Sequence, residues 1–225
     1  MPVKVWIVLG VEFLAFALLL FLPAGTIMWS AGWAFLILFF GGAMAITLVL
    51  ARHDPALLAE RMKPPIQPGQ PRWDKILLCV VILLWLGWLI LMGLDAVRFH
   101  WSVMPKWLQL IGVVGIALSF WICYCTFREN TFLAPVVRIQ KERGHKVIST
   151  GPYSIVRHPL YSAVLIMLPS TALMLGSWYG VAASFLINAA IVFRTWMEDC
   201  KLKQELDGYA TYAVRVRYRL FPFVW

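Results

Sequence analysis

Six apolar blocks decide what this chain can fold into. They run near residues 5–24, 29–51, 75–95, 106–127, 159–176 and 178–195. A helix needs about 20 apolar residues to cross a hydrocarbon core of about 30 Å. With 12 Trp and only 14% charged residues, the chain is incompatible with an ordinary soluble domain of 225 residues. The blocks therefore predict an all-α, polytopic membrane bundle of about six transmembrane helices. Few residues lie outside the blocks, so residues 1–225 form a single membrane domain. Its first part, 1–127, holds four spans. The last two blocks are short, are separated only by Gly176 and Ser177, and form a helical hairpin that is tilted or not fully crossing. The first block is not a cleaved signal peptide: only Lys4 precedes its long run, and a second span follows almost at once.

The net charge of +9 is an orientation signal. With a cytosolic amino terminus, the inside segments 1–4, 52–75, 128–157 and 200–225 carry 1, 5, 6 and 5 Lys or Arg. The outside loops carry only Arg98 and Lys106, so the positive-inside rule favours this topology. The basic excess reads as topology and contact with anionic membrane lipids. No aromatic-basic surface motif accompanies it, so no nucleic acid is expected as a partner. Cys79, Cys123, Cys125 and Cys200 show no Cys-x-x-Cys with His partners, so neither a metal site nor a disulfide framework is indicated.

Three features read as structural. Glu12 is the only charge inside the first hairpin and is expected to hydrogen-bond to a neighbouring helix. The linker 52–74 holds Pro55, Pro64, Pro65, Pro68 and Pro71 and cannot be one continuous helix; no chemistry is assigned to it. Gly112 and Gly115 allow close helix packing in the fourth span.

The segment Gly144–Tyr161 is different: it is polar, dense in hydrogen-bonding side chains, and followed at once by an apolar run. Gly144 and Gly151-Pro152 punctuate it, leaving Val147–Ile148 as a short extended piece between turns. Pro159 suits the first position of a helix, where its missing N–H costs nothing. That helix would present free N–H groups and a positive dipole end to Arg157, His158 and Tyr161, an arrangement that attracts carboxylates or phosphates. Taken singly, Arg157 could touch lipid phosphate while His158 caps the helix. Arg194 and Glu198, four apart on a helix, could simply form an ion pair. Both clusters nevertheless fall at the same end of one hairpin.

The combination His145-Lys-Val-Ile148, Gly151-Pro-Tyr153, Arg157-His-Pro-Leu-Tyr161 and Arg194-x-x-x-Glu198, closing with Tyr209, Tyr212, Val214 and Phe221-Pro222, resembles the isoprenylcysteine carboxyl methyltransferase family. More widely, it resembles the membrane methyltransferases that include phospholipid N-methyltransferases. The resemblance covers roughly 128–225; the earlier spans fit only by number and hydrophobicity. Two positions depart from the family pattern: Glu198-Asp199 stands where many relatives have paired glutamates, and Arg138 follows Val136-Val137 where the eukaryotic enzymes tend to have Gln.

This resemblance implies an S-adenosylmethionine-dependent methyltransferase of the membrane, with its active site facing the cytosol. His145, Lys146, Val147, Ile148, Tyr153, His158, Pro159, Leu160 and Tyr161 would line the cofactor pocket. Arg194 and Glu198 would close it as cofactor contacts and catalytic residues, with Glu198 holding Arg194. The acceptor would be a lipophilic small molecule or lipidated protein from the bilayer, foremost an isoprenylcysteine-like carboxylate. A phospholipid amine is the next alternative, then a nicotinamide-dependent membrane reductase with a related hairpin, or a non-enzymatic scaffold. Arg138 is a weaker candidate for the cofactor or substrate side. No Gly-x-Gly-x-x-Gly follows a strand, so the soluble dinucleotide-type solution to cofactor binding is absent.

Overall fold

The computed structural model describes residues 3–225; Met1 and Pro2 of the first inside segment lie outside them. Eight α-helices carry the fold: α1 (Val3–Ala24), α2 (Ser30–His53), α3 (Pro55–Arg61), α4 (Arg72–Gly93), α5 (Lys106–Glu129), α6 (Pro159–Leu175), α7 (Trp178–Glu205) and α8 (Tyr209–Arg215). A π-helical turn, Leu94–Arg98, continues α4. There is no strand among the described residues.

Five helices are long and apolar enough to cross a membrane: α1, α2, α4 with its π turn, α5 and α7. The sixth apolar helix, α6, has 17 residues, about 25 Å at a rise of about 1.5 Å per residue, which is short of the core thickness. Its partner α7 has 28, or about 42 Å, so its last turns project past the bilayer. Those turns carry Arg194, Glu198 and Asp199.

The helices close into a ring in the order α1, α4, α7, α6, α5, α2 and back to α1. Leu20, Leu36, Met92, Ile116, Leu175 and Ile187 fill its centre, while Ile7, Leu14, Leu83, Ile111, Leu118 and Phe185 face outward as a lipid-facing surface does. The α5–α6 contact is the most intimate, and glycine explains it. A Cβ on Gly112 would stand 2.5 Å from Met174 N and Ser170 O, and one on Gly115 would overlap the Ser170 hydroxyl. Pro169 sits inside α6 and deprives the Leu165 carbonyl of its helical donor. Asn188 of α7 supplies the missing bond, Nδ2 to Leu165 O at 3.1 Å. Gly176, in the left-handed region at φ 85°, ends α6, and Ser177 Oγ caps α7 by accepting from Gly180 N at 2.7 Å.

This connectivity gives the bundle two ends. The turn end holds residues 25–29, 99–105 and 176–177. The loop end gathers the linker 54–71, the segment 130–158 and the tail 206–225. The linker is interrupted as its prolines require, with α3 as one short helix started by Pro55 and capped by Asp54 Oδ1, which accepts from Leu57 N at 2.9 Å.

Glu12 departs from expectation. It is exposed on α1 and has no hydrogen-bond partner among the described residues. Its neighbour Phe13 takes the inter-helix contact instead, packing edge-on against Phe40 of α2 at 5.1 Å.

Candidate functional site

The loop end encloses a cavity of about 290 Å³. Its floor is the segment 130–148, its walls are the first turns of α6 and the last turns of α7, and α8 closes the far side. Ten predicted residues line it: His145, Lys146, Val147, Ile148, Tyr153, His158, Leu160, Tyr161, Arg194 and Glu198. Pro159 does not line it, because as first residue of α6 its ring packs into the protein and leaves the opening to its neighbours.

Two buried carboxylates organise this end, and the sequence reading singled out neither as a centre. Asp199 on α7 is fully buried. Arg157 grips it through Nε at 2.8 Å and Nη2 at 3.1 Å. Tyr209 donates to it at 2.9 Å, Arg219 Nε at 3.0 Å, and Lys203 pairs with it at 3.1 Å. The remaining amino group of Arg157, Nη1, donates to the carbonyls of Val216 and Arg217 at 2.7 and 2.9 Å. Those carbonyls follow the end of α8, where helix acceptors lack internal donors. Arg157 is thus 5% exposed and spent on protein; it does not meet lipid phosphate. His158 occupies the N-cap position of α6, but its side chain makes no capping bond. Its Nε2 lies 3.4 Å from both Asp199 Oδ1 and the Tyr209 hydroxyl, and its ring stacks on Tyr161.

The second centre is Asp74, in the first turn of α4. It is also fully buried and accepts from Arg194 Nε at 2.8 Å, Gln70 Nε2 at 2.7 Å and Val137 N at 3.0 Å. The expected Arg194–Glu198 pair is not formed. The Tyr161 hydroxyl stands between them, accepting from Arg194 Nη1 at 2.5 Å and donating to Glu198 Oε2 at 2.6 Å. Asp74 holds Arg194 because it approaches from α4 at the same depth, while Glu198 lies one turn further along α7. The signal was present in the sequence: a lone acid opening an apolar block needs a buried partner.

The floor has its own order. His145 stacks on Phe132 with ring centroids 4.6 Å apart, and its Nδ1 accepts from Gln140 N at 3.3 Å. An accepting Nδ1 places the proton on Nε2 in the neutral ring. Burial, then the cations of Arg143 and Arg138, push the His145 pKa down to about 4, so the ring is neutral at physiological pH. Arg138 lines the cavity but is held by Glu60 at 2.7 Å and Glu142 at 2.7 Å, tying the floor to α3. Tyr153 receives a bond from Asn130 on its hydroxyl and one from Tyr212 on its carbonyl. Burial pushes the Tyr153 hydroxyl well above its ordinary value and that of Tyr212 up to about 12, so both are neutral donors.

The cavity is therefore half ionic and half apolar. Val147, Ile148, Tyr153 and Tyr212 contribute aliphatic and aromatic lining on one part of it. Glu198, partly exposed and with one carboxylate oxygen outside the Tyr161 bond, faces the opening. Leu133, Leu160, Val164 and Ile191 make an apolar limb that points into the bundle.

Residues 108–205 match the family model described as phospholipid methyltransferase. Protein-S-isoprenylcysteine O-methyltransferase B of Arabidopsis thaliana is 32% identical over 131 residues, which cover 56% of this chain and 62% of that protein. The chain thus spans less than two thirds of the length of that curated relative. Both matches bear out the resemblance to membrane methyltransferases carried by the motifs of 128–225, and the family match spans the α6–α7 hairpin.

Proposed function

We propose that this chain is an integral membrane methyltransferase that takes its methyl group from S-adenosylmethionine and delivers it to a lipid-borne acceptor, most readily the carboxylate of an isoprenylcysteine-like molecule. The observation that carries this reading is the cavity itself: one space at the loop end is lined both by charged and hydroxyl side chains (Arg194, Glu198, Tyr161, Tyr153) and by apolar ones (Leu133, Leu160, Val164, Ile191). A soluble charged donor and a lipid can meet only in such a place.

The residues present fit the donor. Val147, Ile148, Tyr153 and Tyr212 offer an adenine-width slot of mixed polarity. Glu198 presents a carboxylate oxygen for an ammonium group. The N–H of Leu160, in the first turn of α6, suits a carboxylate at the positive end of the helix dipole. When bound, the donor supplies a methyl group on an already activated sulfonium, so the protein has mainly to align and exclude water.

The protein's own part follows from its bonds. Asp74 and Pro135 O fix Arg194, which in turn fixes the Tyr161 hydroxyl, and that hydroxyl fixes Glu198. Each side chain in this line has one orientation, and the line crosses the cavity where its polar and apolar halves meet. A carboxylate acceptor is ionised at neutral pH and needs no base. Glu198, engaged by Tyr161, is placed to hold and not to take a proton. With an active site at the basic loop end, the positive-inside rule puts catalysis on the cytosolic face.

The test is thermal stability of the detergent-purified protein with S-adenosylhomocysteine. At 100 times its dissociation constant the ligand stabilises the fold by about 2.7 kcal/mol. We expect that shift in the wild type and its disappearance in Glu198→Ala. A folded wild-type protein that shows no shift at saturating ligand, but is protected by a phosphorylated nicotinamide dinucleotide, would replace this reading with a reductase.

A further inference from the structure

Arg194, the cation the motif offers to the acceptor, already has a bond on each of its three nitrogens, three of its five N–H groups, and its charge faces Asp74. Its three nitrogens go to Asp74, Tyr161 and the Pro135 carbonyl. A carboxylate arriving through the apolar limb needs another cation. One lies on the same cavity wall: Arg61, the last residue of α3.

Three observations set Arg61 apart. It makes no ion pair among the described residues, although its neighbour Glu60 pairs with both Lys63 and Arg138. Its only polar contact is a long one, Nη1 to Leu133 O at 3.4 Å, and its guanidinium lies 4.8 Å over the Phe127 ring. Its backbone is fixed: Leu57 and Leu58 are buried against Cys123, Phe127 and Ala163, and Asp54 caps the helix. A rigidly mounted guanidinium with unspent donors in a partly buried cavity is built to receive an anion.

Its position relative to Arg194 says where that anion sits. Arg61 reaches the Leu133 carbonyl and Arg194 the Pro135 carbonyl, two residues apart on one loop, so they approach one stretch of backbone at most about 7 Å long. Burial, and then the Arg194 cation, lower the Arg61 pKa, so the two charges sense each other across the cavity. Leu160 and Val164 of the apolar limb line the same cavity as both arginines.

We infer that Arg61 is the acceptor-binding cation of this site, holding the carboxylate of an acidic lipid acceptor whose apolar chain lies in the limb lined by Leu133, Leu160, Val164 and Ile191. The inference rests on the methyltransferase reading and adds its substrate determinant. Arg61 binds and orients; Arg194 fixes Tyr161 and Glu198. An acceptor amine would meet two cations, Arg61 and Arg194, on this side of the cavity, which favours acids.

The experiment uses the full chain in neutral detergent, with an N-acetyl-S-prenylcysteine as probe and its carboxamide as the uncharged twin. Wild-type protein should be stabilised by the acid at concentrations about 10- to 100-fold below those needed for the carboxamide, the range expected of a charge-assisted bond. In Arg61→Gln that preference should vanish and the acceptor KM rise by the same factor. Stabilisation by S-adenosylhomocysteine should stay unchanged, which also certifies the fold. Arg61→Lys should recover part of the preference. Retention of the full acid preference in Arg61→Gln overturns the assignment. So does displacement of the acid by phosphatidic acid at equal concentration, which would make Arg61 a phosphate site. Wild-type protein that binds S-adenosylhomocysteine but treats acid and carboxamide alike also sinks it, while leaving a methyltransferase of another acceptor standing. No S-adenosylhomocysteine binding at all sinks the broader reading first.

Discussion

The two ends of the bundle each bury aspartates, and they solve the problem in opposite ways. At the turn end Asp95, in the π turn after α4, is fully buried with no cation on it. Its Oδ2 accepts from Ser102 at 2.7 Å, Ser177 at 2.5 Å and Tyr179 N at 3.3 Å, while its Oδ1 has no partner. At the loop end Asp199 is held by two guanidinium groups, of Arg157 and Arg219, and Asp74 by that of Arg194. Hydroxyls and a backbone amide make a clasp that pins the α6–α7 turn to α4 and leaves no space beside it. Arginines make a scaffold: each has several donors, so one carboxylate can hold two or three segments apart around a cavity. Polarity buried near a membrane edge therefore signals a ligand site where fixed charges line an opening, and not where a carboxyl is held only by hydroxyl and amide donors.

The sharpest way to break this comparison is Asp199→Asn. It leaves Arg157 buried without its anion, which costs about 3–5 kcal/mol. We expect a large drop in melting temperature and loss of S-adenosylhomocysteine protection, read by a thermal shift assay. The next effect is on activity. Asp74→Asn releases Arg194 and, through it, Tyr161 and Glu198, so methyl transfer should fall about 10²-fold, as misplacement by about 1 Å does. Donor-product binding should fall less, and the ratio of the two is the diagnostic.

Acid provides the third test. The folded His145 pKa, about 4, lies below its ordinary value near 6.5. The unfolded chain therefore takes up the proton first. The contribution of this ring is complete above about pH 6.5 and drains away as pH falls towards 4. The dependence of melting temperature on pH across that window should flatten in His145→Gln. The smallest effect belongs to the turn end. Asp95→Asn keeps an acceptor for Ser102 and Ser177 and should cost about 1 kcal/mol, with catalysis intact. A cost equal to that of Asp199→Asn would erase the distinction between clasp and scaffold.

The apolar blocks made the bundle, the hairpin and the interrupted linker legible in the sequence, because length and hydrophobicity alone decide what crosses a bilayer. Gly112 and Gly115 were legible for the same kind of reason, since only absent side chains let α5 and α6 approach so closely. The cavity-lining residues of 145–161 could be named only through the resemblance of their motifs to a known family. What stood between Arg194 and Glu198 could not. Helical spacing brings those two together, but the hydroxyl of Tyr161 enters from another helix, and Asp74 reaches Arg194 from the first turn of α4, 120 residues away in sequence. Arg61 and Asp199 were hidden likewise, because a side chain's free or spent donors depend on what the tertiary fold brings near.

The pairing of the loop before α6 with the tail has a consequence for how the protein is made. Arg157 N and His158 N bond to the carbonyls of Tyr218 and Arg219, and Ser162 Oγ donates to Leu220 O at 2.6 Å. Every span is already synthesised before those carbonyls leave the ribosome. A nascent chain can thus have all its spans in the membrane before the segment that bonds the start of α6, and with it Tyr209 and Tyr212 of the cavity wall, is held in place.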